Sequence, residues 1–229
     1  MRYPGGRDAL RDVNFRINSG EMVFLTGRSG AGKSTVLKLI ALLERPSYGL
    51  VTVNGRATHS VRGRHVAAFR RQLGVVFQDH KLLPDRSVFD NVALPLIVSG
   101  SFTARAINHR VRGALEDVGL TGTEAIRPLE LSAGEQQRVG IARAVVAEPP
   151  LLIADEPTGN LDPASAVEVM RLFRSFQESG VTVVVATHDL HLVKEFGHRE
   201  IVLDNGCTSG PELDPGGPKT MPYPFMAAR

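Results

Sequence analysis

The segment "GRSGAGKST", Gly27 to Thr35, has the residue types and spacing of a phosphate cradle and matches G-x-x-x-x-G-K-[ST] at every position. Gly27, Gly30 and Gly32 let the backbone curl so that N–H groups point inward at phosphate oxygens, with Ser29, Ala31 and Thr35 completing the loop. It follows the apolar run "MVFLT" and precedes "TVLKLIALLE". A buried strand therefore delivers the loop, and a helix N-terminus adds its positive dipole end. Lys33 is placed to reach the β and γ phosphates of ATP, and the Ser34 hydroxyl to ligate Mg²⁺. A glycine-rich turn with a chance lysine would lack both flanking elements.

Two acids close another apolar run, "LLIADE". Asp155 can hold Mg²⁺ through its water shell, and Glu156 can polarise the attacking water. An N-cap pair opening a helix is the structural alternative, but Pro157 follows at once and the loop "PTGN" intervenes. Gln78 ends "LGVVFQ" and His188 ends "VTVVVATH", so each could reach the γ-phosphate or its water from the same sheet edge. A histidine at a strand end is also an ordinary surface residue. His188 and His191 have the spacing of a metal pair, but no third ligand is near in sequence and no metal site is expected there. A second small-residue turn opens "LSAGEQQRVGIARAVV", Leu131 to Val146, where Ser132 and Glu135 form an S-x-x-E capping box. A capped helix start presents N–H groups to an anion, and a plain capping box has the same local pattern, so both readings stand.

The elements that must position these residues are legible as periods. "DVNFRIN" alternates with Val13, Phe15 and Ile17 on one face, which with the turn "SG" predicts a hairpin feeding the strand Met22 to Thr26. "LVTVNG", Leu50 to Gly55, reads as a strand ending in a turn dipeptide. "LGVVFQ", "LLIADE" and "VTVVVATH" are unbroken apolar runs, as expected of strands covered on both faces. Asp162 and Pro163 open a helix carrying Val169, Phe173 and Phe176 that Gly180 ends. Another, Thr103 to Val118, aligns Ile107, Val111, Leu115 and Val118 and stops at Gly119. The fold class is α/β, a parallel core with a helical insertion.

The longest apolar runs are far short of a membrane span, so any membrane contact is expected to be peripheral. The single Cys207 allows no internal disulfide and fits a reducing cytosol. Arg56, Arg62, Arg64, Arg70 and Arg71 crowd one stretch with His59 and His65, read as a solvated helix face ahead of a nucleic-acid or lipid-headgroup patch. The proline- and glycine-dense end of the chain predicts a disordered tail.

These motifs occur in the order and spacing of ABC-transporter-type ATPase domains, which the chain resembles from about Tyr3 to Gly206. "DEPTGNLD" is similar to the branch serving lipoprotein-release, macrolide-export and cell-division systems. "GEMVFLTGRSGAGKSTVLKLI", "ERPSYG", "FQDHKLLPDRSVFDNVALPL" and "GEQQRVGIARAVV" look most like its cell-division members. The resemblance implies a P-loop ATPase core of mostly parallel sheet with a small antiparallel β subdomain. The domain covers 3–206, with a helical subdomain at about 87–147 and a tail at 207–229. It further implies an ATP-dependent homodimer in which Ser132, Gly134 and Glu135 of one copy complete the phosphate site of the other. Tyr3 would stack on adenine, Gln78 would join Ser34 and Asp155 at Mg²⁺, and Asp162 would link the two sites. Glu156, His188 and Gln78 would be catalytic.

The implied partners are an FtsX-like integral membrane protein and other division proteins, at the cytoplasmic face of the bacterial inner (plasma) membrane, with no nucleic acid. The implied work is coupling of ATP binding and hydrolysis to cell division and cell-wall hydrolase regulation. A lipoprotein-release or macrolide-export ATPase is the alternative. A DNA-repair or chromosome ATPase would carry a coiled-coil or zinc-bearing insertion, and a non-catalytic scaffold sits poorly with intact Lys33, Asp155, Glu156 and His188.

Two departures stand out. The third signature residue is Ala133 where the family usually has glycine; alanine is expected to be harmless as the first helical residue after the Ser132 cap. The family also begins with a strand ahead of the aromatic at Tyr3. Either the true start lies upstream or the antiparallel subsheet lacks an edge partner.

Overall fold

The computed structural model describes residues 1 and 8–209, so Tyr3 and positions 210–229 of the predicted tail lie outside the described residues, whereas Cys207–Ser209, expected at the start of that tail, form a strand paired with residues 202–204. In chain order the first half holds β1 (Met22–Thr26), α1 (Lys33–Ile40), β2 (Thr52–Val53), β3 (Arg56–Ala57), α2 (Arg64–Arg70), β4 (Leu73–Val76), α3 (Val88–Ser99) and α4 (Ala104–Asp117). The second half holds α5 (Ala133–Val145), β5 (Leu151–Asp155), α6 (Pro163–Glu178), β6 (Thr182–Ala186), α7 (Leu190–Phe196), β7 (Arg199–Asp204) and β8 (Cys207–Ser209). Single 3₁₀ turns occupy Thr58–Ser60 and Pro128–Glu130.

The apolar runs form one sheet in the order β4-β5-β6-β1-β7-β8, parallel except for the last pair. Side chains alternate across it, as strand geometry requires. Phe24, Leu152, Ala154, Val183 and Val185 join a core with α3 to α7, while Val23, Leu25, Ile153 and Val184 join a second core with α1 and the residues around it. Both faces are thus covered, which explains the unbroken apolar strands.

Helix boundaries follow their capping residues. Asp162 accepts from the Ala164 and Ser165 amides with Pro163 at the first helical position, and Gly180 ends that helix at φ +98°. Thr103 caps α4 through the Ala106 amide, and Gly119 at φ +70° stops it. Residues 50–55 contribute only Thr52 and Val53 to a ladder, paired with Arg56 and Ala57 across Asn54 and Gly55, both at positive φ. That is the primed turn an Asn-Gly pair favours.

The hairpin expected across 12–26 does not form. Strand β1 pairs in parallel with β6 on one side and β7 on the other, so neither of its edges is free to take residues 13–18. The alternation was nevertheless meaningful, because Val13, Phe15 and Ile17 pack against the second core without joining a ladder.

Candidate functional site

Parallel strands bring their carboxyl ends to one edge, where open α/β sheets bind ligands. The sheet order places in a row the loops after β4 with Gln78, after β5 with Asp155 and Glu156, after β6 with His188, and after β1 with Gly27 to Thr35. The cradle's shape depends on its glycines. Gly27 and Gly32 sit at φ +141° and +108°, and a Cβ at Gly27 would lie 2.2 Å from the Leu203 carbonyl oxygen. One at Gly32 would meet Leu10 Cδ2 at 2.5 Å and the Ala9 carbonyl oxygen at 2.9 Å.

Helices α3, α4, α5 and α6 each open on a side chain that caps them, whereas α1 opens on Gly32 with no side-chain cap. A helix start without a cap leaves amides for an outside acceptor, and an anion fits there.

Lys33 is buried, and its Nζ donates to the Gly27 carbonyl at 2.8 Å and lies 3.3 Å from Glu156 Oε1. Glu156 stands at φ +48°, its amide bonded to the Ala186 carbonyl at the end of β6. Its other oxygen, Oε2, accepts from the His188 amide at 3.3 Å and lies 2.8 Å from His188 Nδ1. The carboxylate side chain is 13 % exposed and the imidazole 68 %, so the glutamate is held from inside while the histidine faces outward. The Ser34 hydroxyl donates to Asp155 Oδ1 at 3.1 Å. Burial pushes the Asp155 carboxyl above its ordinary range, the Ser34 hydroxyl opposing that shift. A hydroxyl beside a carboxylate is an oxygen donor set suited to Mg²⁺. Gln78 lies next to the loop after Glu156, its Nε2 3.9 Å from where a Cβ on Gly159 would stand.

Ser29 is exposed, and Ala31 and Thr35 are buried within the same turn. The second cradle joins a different neighbourhood. Ser132 and Glu135 form the expected capping box, with the Ser132 amide and hydroxyl both bonded to Glu135 Oε2 at 2.8 and 2.7 Å. These bonds hold the Glu135 carboxyl below its ordinary range. A Cβ on Gly134 would lie 3.5 Å from Ser165 Oγ, so this turn abuts the start of α6 and its cap Asp162. Ser132 and Glu135 bond to each other, whereas Lys33 and Ser34 bond to Gly27 and Asp155. Ala133 is the first residue of α5 and has no positive φ. Ala133→Gly is therefore expected to cost about 0.5 to 1 kcal/mol in denaturant unfolding and to leave turnover within tenfold.

Two clamps on the segment after Gln78 have no sequence motif. His80 and Lys81 are both at positive φ, and Arg143 of α5 donates to their carbonyls at 2.5 and 2.7 Å. Asn91, fully buried on α3, accepts from the Leu83 amide and donates to the Leu83, Arg86 and Ser87 carbonyls. The only signal for either was polarity inside an apolar helical pattern. Arg143→Ala leaves two carbonyls without their donor and should lower stability by about 1 to 3 kcal/mol, with Arg143→Lys recovering part of it in urea denaturation.

Residues 10–159 match the family model described as ABC transporter. The chain is 52% identical over 208 residues to the cell division ATP-binding protein FtsE of Escherichia coli (strain K12), covering 91% of this chain and 93% of that one. It is 48% identical to the protein of the same name from Mycobacterium tuberculosis, covering 87% and 86%. Among solved structures it is similar to a dimeric ATP-binding cassette in a post-hydrolysis state bound to ADP and Pi, with TM-score 0.82, 37% identity and 91% and 93% coverage. A dimeric bacterial ABC transporter cassette aligns with TM-score 0.81, 38% identity and 88% and 89% coverage.

Proposed function

Because this chain belongs to the ABC transporter family, we propose that it is the ATP-hydrolysing subunit of a membrane-associated complex that couples ATP binding and hydrolysis to cell division. The observation that carries the reading is Glu156 suspended between Lys33 and His188 beside the phosphate loop. When Lys33 takes up the terminal phosphates of ATP, it exchanges its contact with Glu156 for them. The freed carboxylate then accepts the proton of the attacking water, while His188 steadies the γ-phosphate. Ser34, Asp155 and Gln78 would hold Mg²⁺, whose charge offsets that of the phosphates. Tyr3 would stack on the adenine.

The dimeric cassettes among the structural relatives support a sandwich of two copies. In it the loop Leu131 to Glu135 of one copy faces the phosphate loop of the other, which accounts for a second cradle built away from the first. Asp162, bonded to Ser165 next to Gly134, would link the two sites. Exposed Leu83, Leu94, Ile97 and Val98, on and beside α3, offer an apolar surface to a cytoplasmic projection of an FtsX-like membrane protein. Regulation of cell-wall hydrolases would follow from that partnership, with the chain peripheral to the cytoplasmic face of the inner membrane.

Capture of the tagged full chain from detergent-solubilised membranes tests this. Recovery of an FtsX-like protein is the expected result. Recovery of a lipoprotein-release or macrolide-export permease instead would replace the cell-division reading with the export one.

A further inference from the structure

The arginines between residues 45 and 71 divide into two kinds. Arg45 and Arg70 turn inward as struts: Arg45 donates to the Thr58 and Val61 carbonyls and Arg70 to the Leu42 carbonyl. With the Thr58 amide bonded to the Val51 carbonyl and β2 paired to β3, these bonds tie residues 42–71 into one unit. Its inner side buries Val53, Val61 and Phe69. Arg56, Arg62, Arg64 and Arg71 are exposed, and none has a side-chain partner among the described residues. On α2, a turn of 3.6 residues puts Arg64 and the adjoining Arg71 on the side opposite Val66 and Phe69.

A solvated helix face, the reading the sequence alone favoured, normally mixes signs. Here no aspartate or glutamate occurs between Glu44 and Asp79. Elsewhere the same chain does pair its arginines: Arg110 with Glu148, Arg138 with Glu168, Arg174 with Glu178 and Arg199 with Glu21. The same unit also exposes Tyr48 at 90 % and Leu50 at 65 %. Unpaired arginines together with an exposed tyrosine and leucine suit the boundary between anionic headgroups and acyl chains, where tyrosine keeps its hydroxyl wet and its ring in an apolar layer. Duplex nucleic acid would use the cations but has no use for the apolar pair.

We infer that the outer surface of residues 48–71 is a docking surface for anionic lipid headgroups, contacted by Arg56, Arg62, Arg64 and Arg71 and anchored by Tyr48 and Leu50. The inference rests on the reading of the chain as a membrane-associated subunit, and it supplies a direct contact with the bilayer in addition to the protein partner.

The test is co-sedimentation of the purified full chain, without membrane partner, with vesicles of phosphatidylcholine alone or with about one-third phosphatidylglycerol. Binding only to the anionic vesicles is expected, lost on raising salt from about 0.05 to about 0.5 M. Each arginine should contribute about fivefold, so the triple variant Arg62→Ser, Arg64→Ser, Arg71→Ser should bind on the order of a hundredfold more weakly with ATPase activity and Tm unchanged. Single variants carry the test if the triple variant is less stable. Equal binding to both vesicles, an unaffected triple variant, or duplex DNA displacing the vesicles through the same arginines would each overturn the proposal. Because no membrane protein is present, a negative result here leaves the FtsX-like partnership standing, and a failed capture of that partner leaves the vesicle result standing.

Discussion

Glu156→Gln protein is expected to bind ATP as the parent does while turning it over about 10²- to 10⁴-fold more slowly. Glutamine keeps the shape of the side chain and an oxygen for the His188 amide, but it cannot accept a proton from water. Lys33 loses a charged neighbour yet retains the Gly27 carbonyl, so the cation stays in the cradle and phosphate has less to displace. The protein should therefore accumulate with ATP in place. Phosphate release at saturating MgATP reads the first effect, and light scattering reads the second as a monomer-to-dimer shift on adding MgATP. Adding Ser132→Arg should block that shift, since it fills the face of α5 that would meet the other copy's phosphates. Turnover within tenfold of the parent would remove Glu156 as the general base.

Gly27→Ala should abolish nucleotide binding and cost about 3 kcal/mol or more. Two independent reasons combine at this position. The backbone is at φ +141°, and the added carbon would stand 2.2 Å from the Leu203 carbonyl oxygen. The loop cannot back away cheaply, because Thr26 is in register with Val202 in the ladder immediately before the contact. Gly49 separates the two causes, having φ +83° with nothing within 4 Å of its would-be Cβ. Gly49→Ala should cost only the backbone penalty, about 1 to 2 kcal/mol. Equal losses in the two variants, measured by denaturant midpoint, would show that the approach of Leu203 is not what requires glycine at 27.

What could be seen beforehand was what is local. The cradle from Gly27 to Thr35, the acids Asp155 and Glu156, and the caps Ser132 and Asp162 are each complete within a few residues, so their chemistry is written in order along the chain. The failed hairpin at 12–26 depended on whether an edge of β1 was open, which residues 182–204 decide. Arg143 and Asn91 escaped because their partners are backbone carbonyls, and every residue has one. The left-handed backbone of Glu156 was equally invisible, since glutamate carries no propensity for it; the fold imposes it where β5 hands over to the next loop.

Strand β1 is made early, but both of its neighbours, β6 and β7, lie within residues 182–204. A ribosome has synthesised most of the domain before that central strand has anything to pair with, and long loops must close first. A nascent chain halted after α6 would already contain every residue from Gly27 to Glu156 and could pair β4 with β5, yet β1 and the phosphate loop behind it would have no strand neighbour. A chain ending before residue 182 is therefore expected to bind no nucleotide, so stalled chains of that length would not compete with completed ones for ATP.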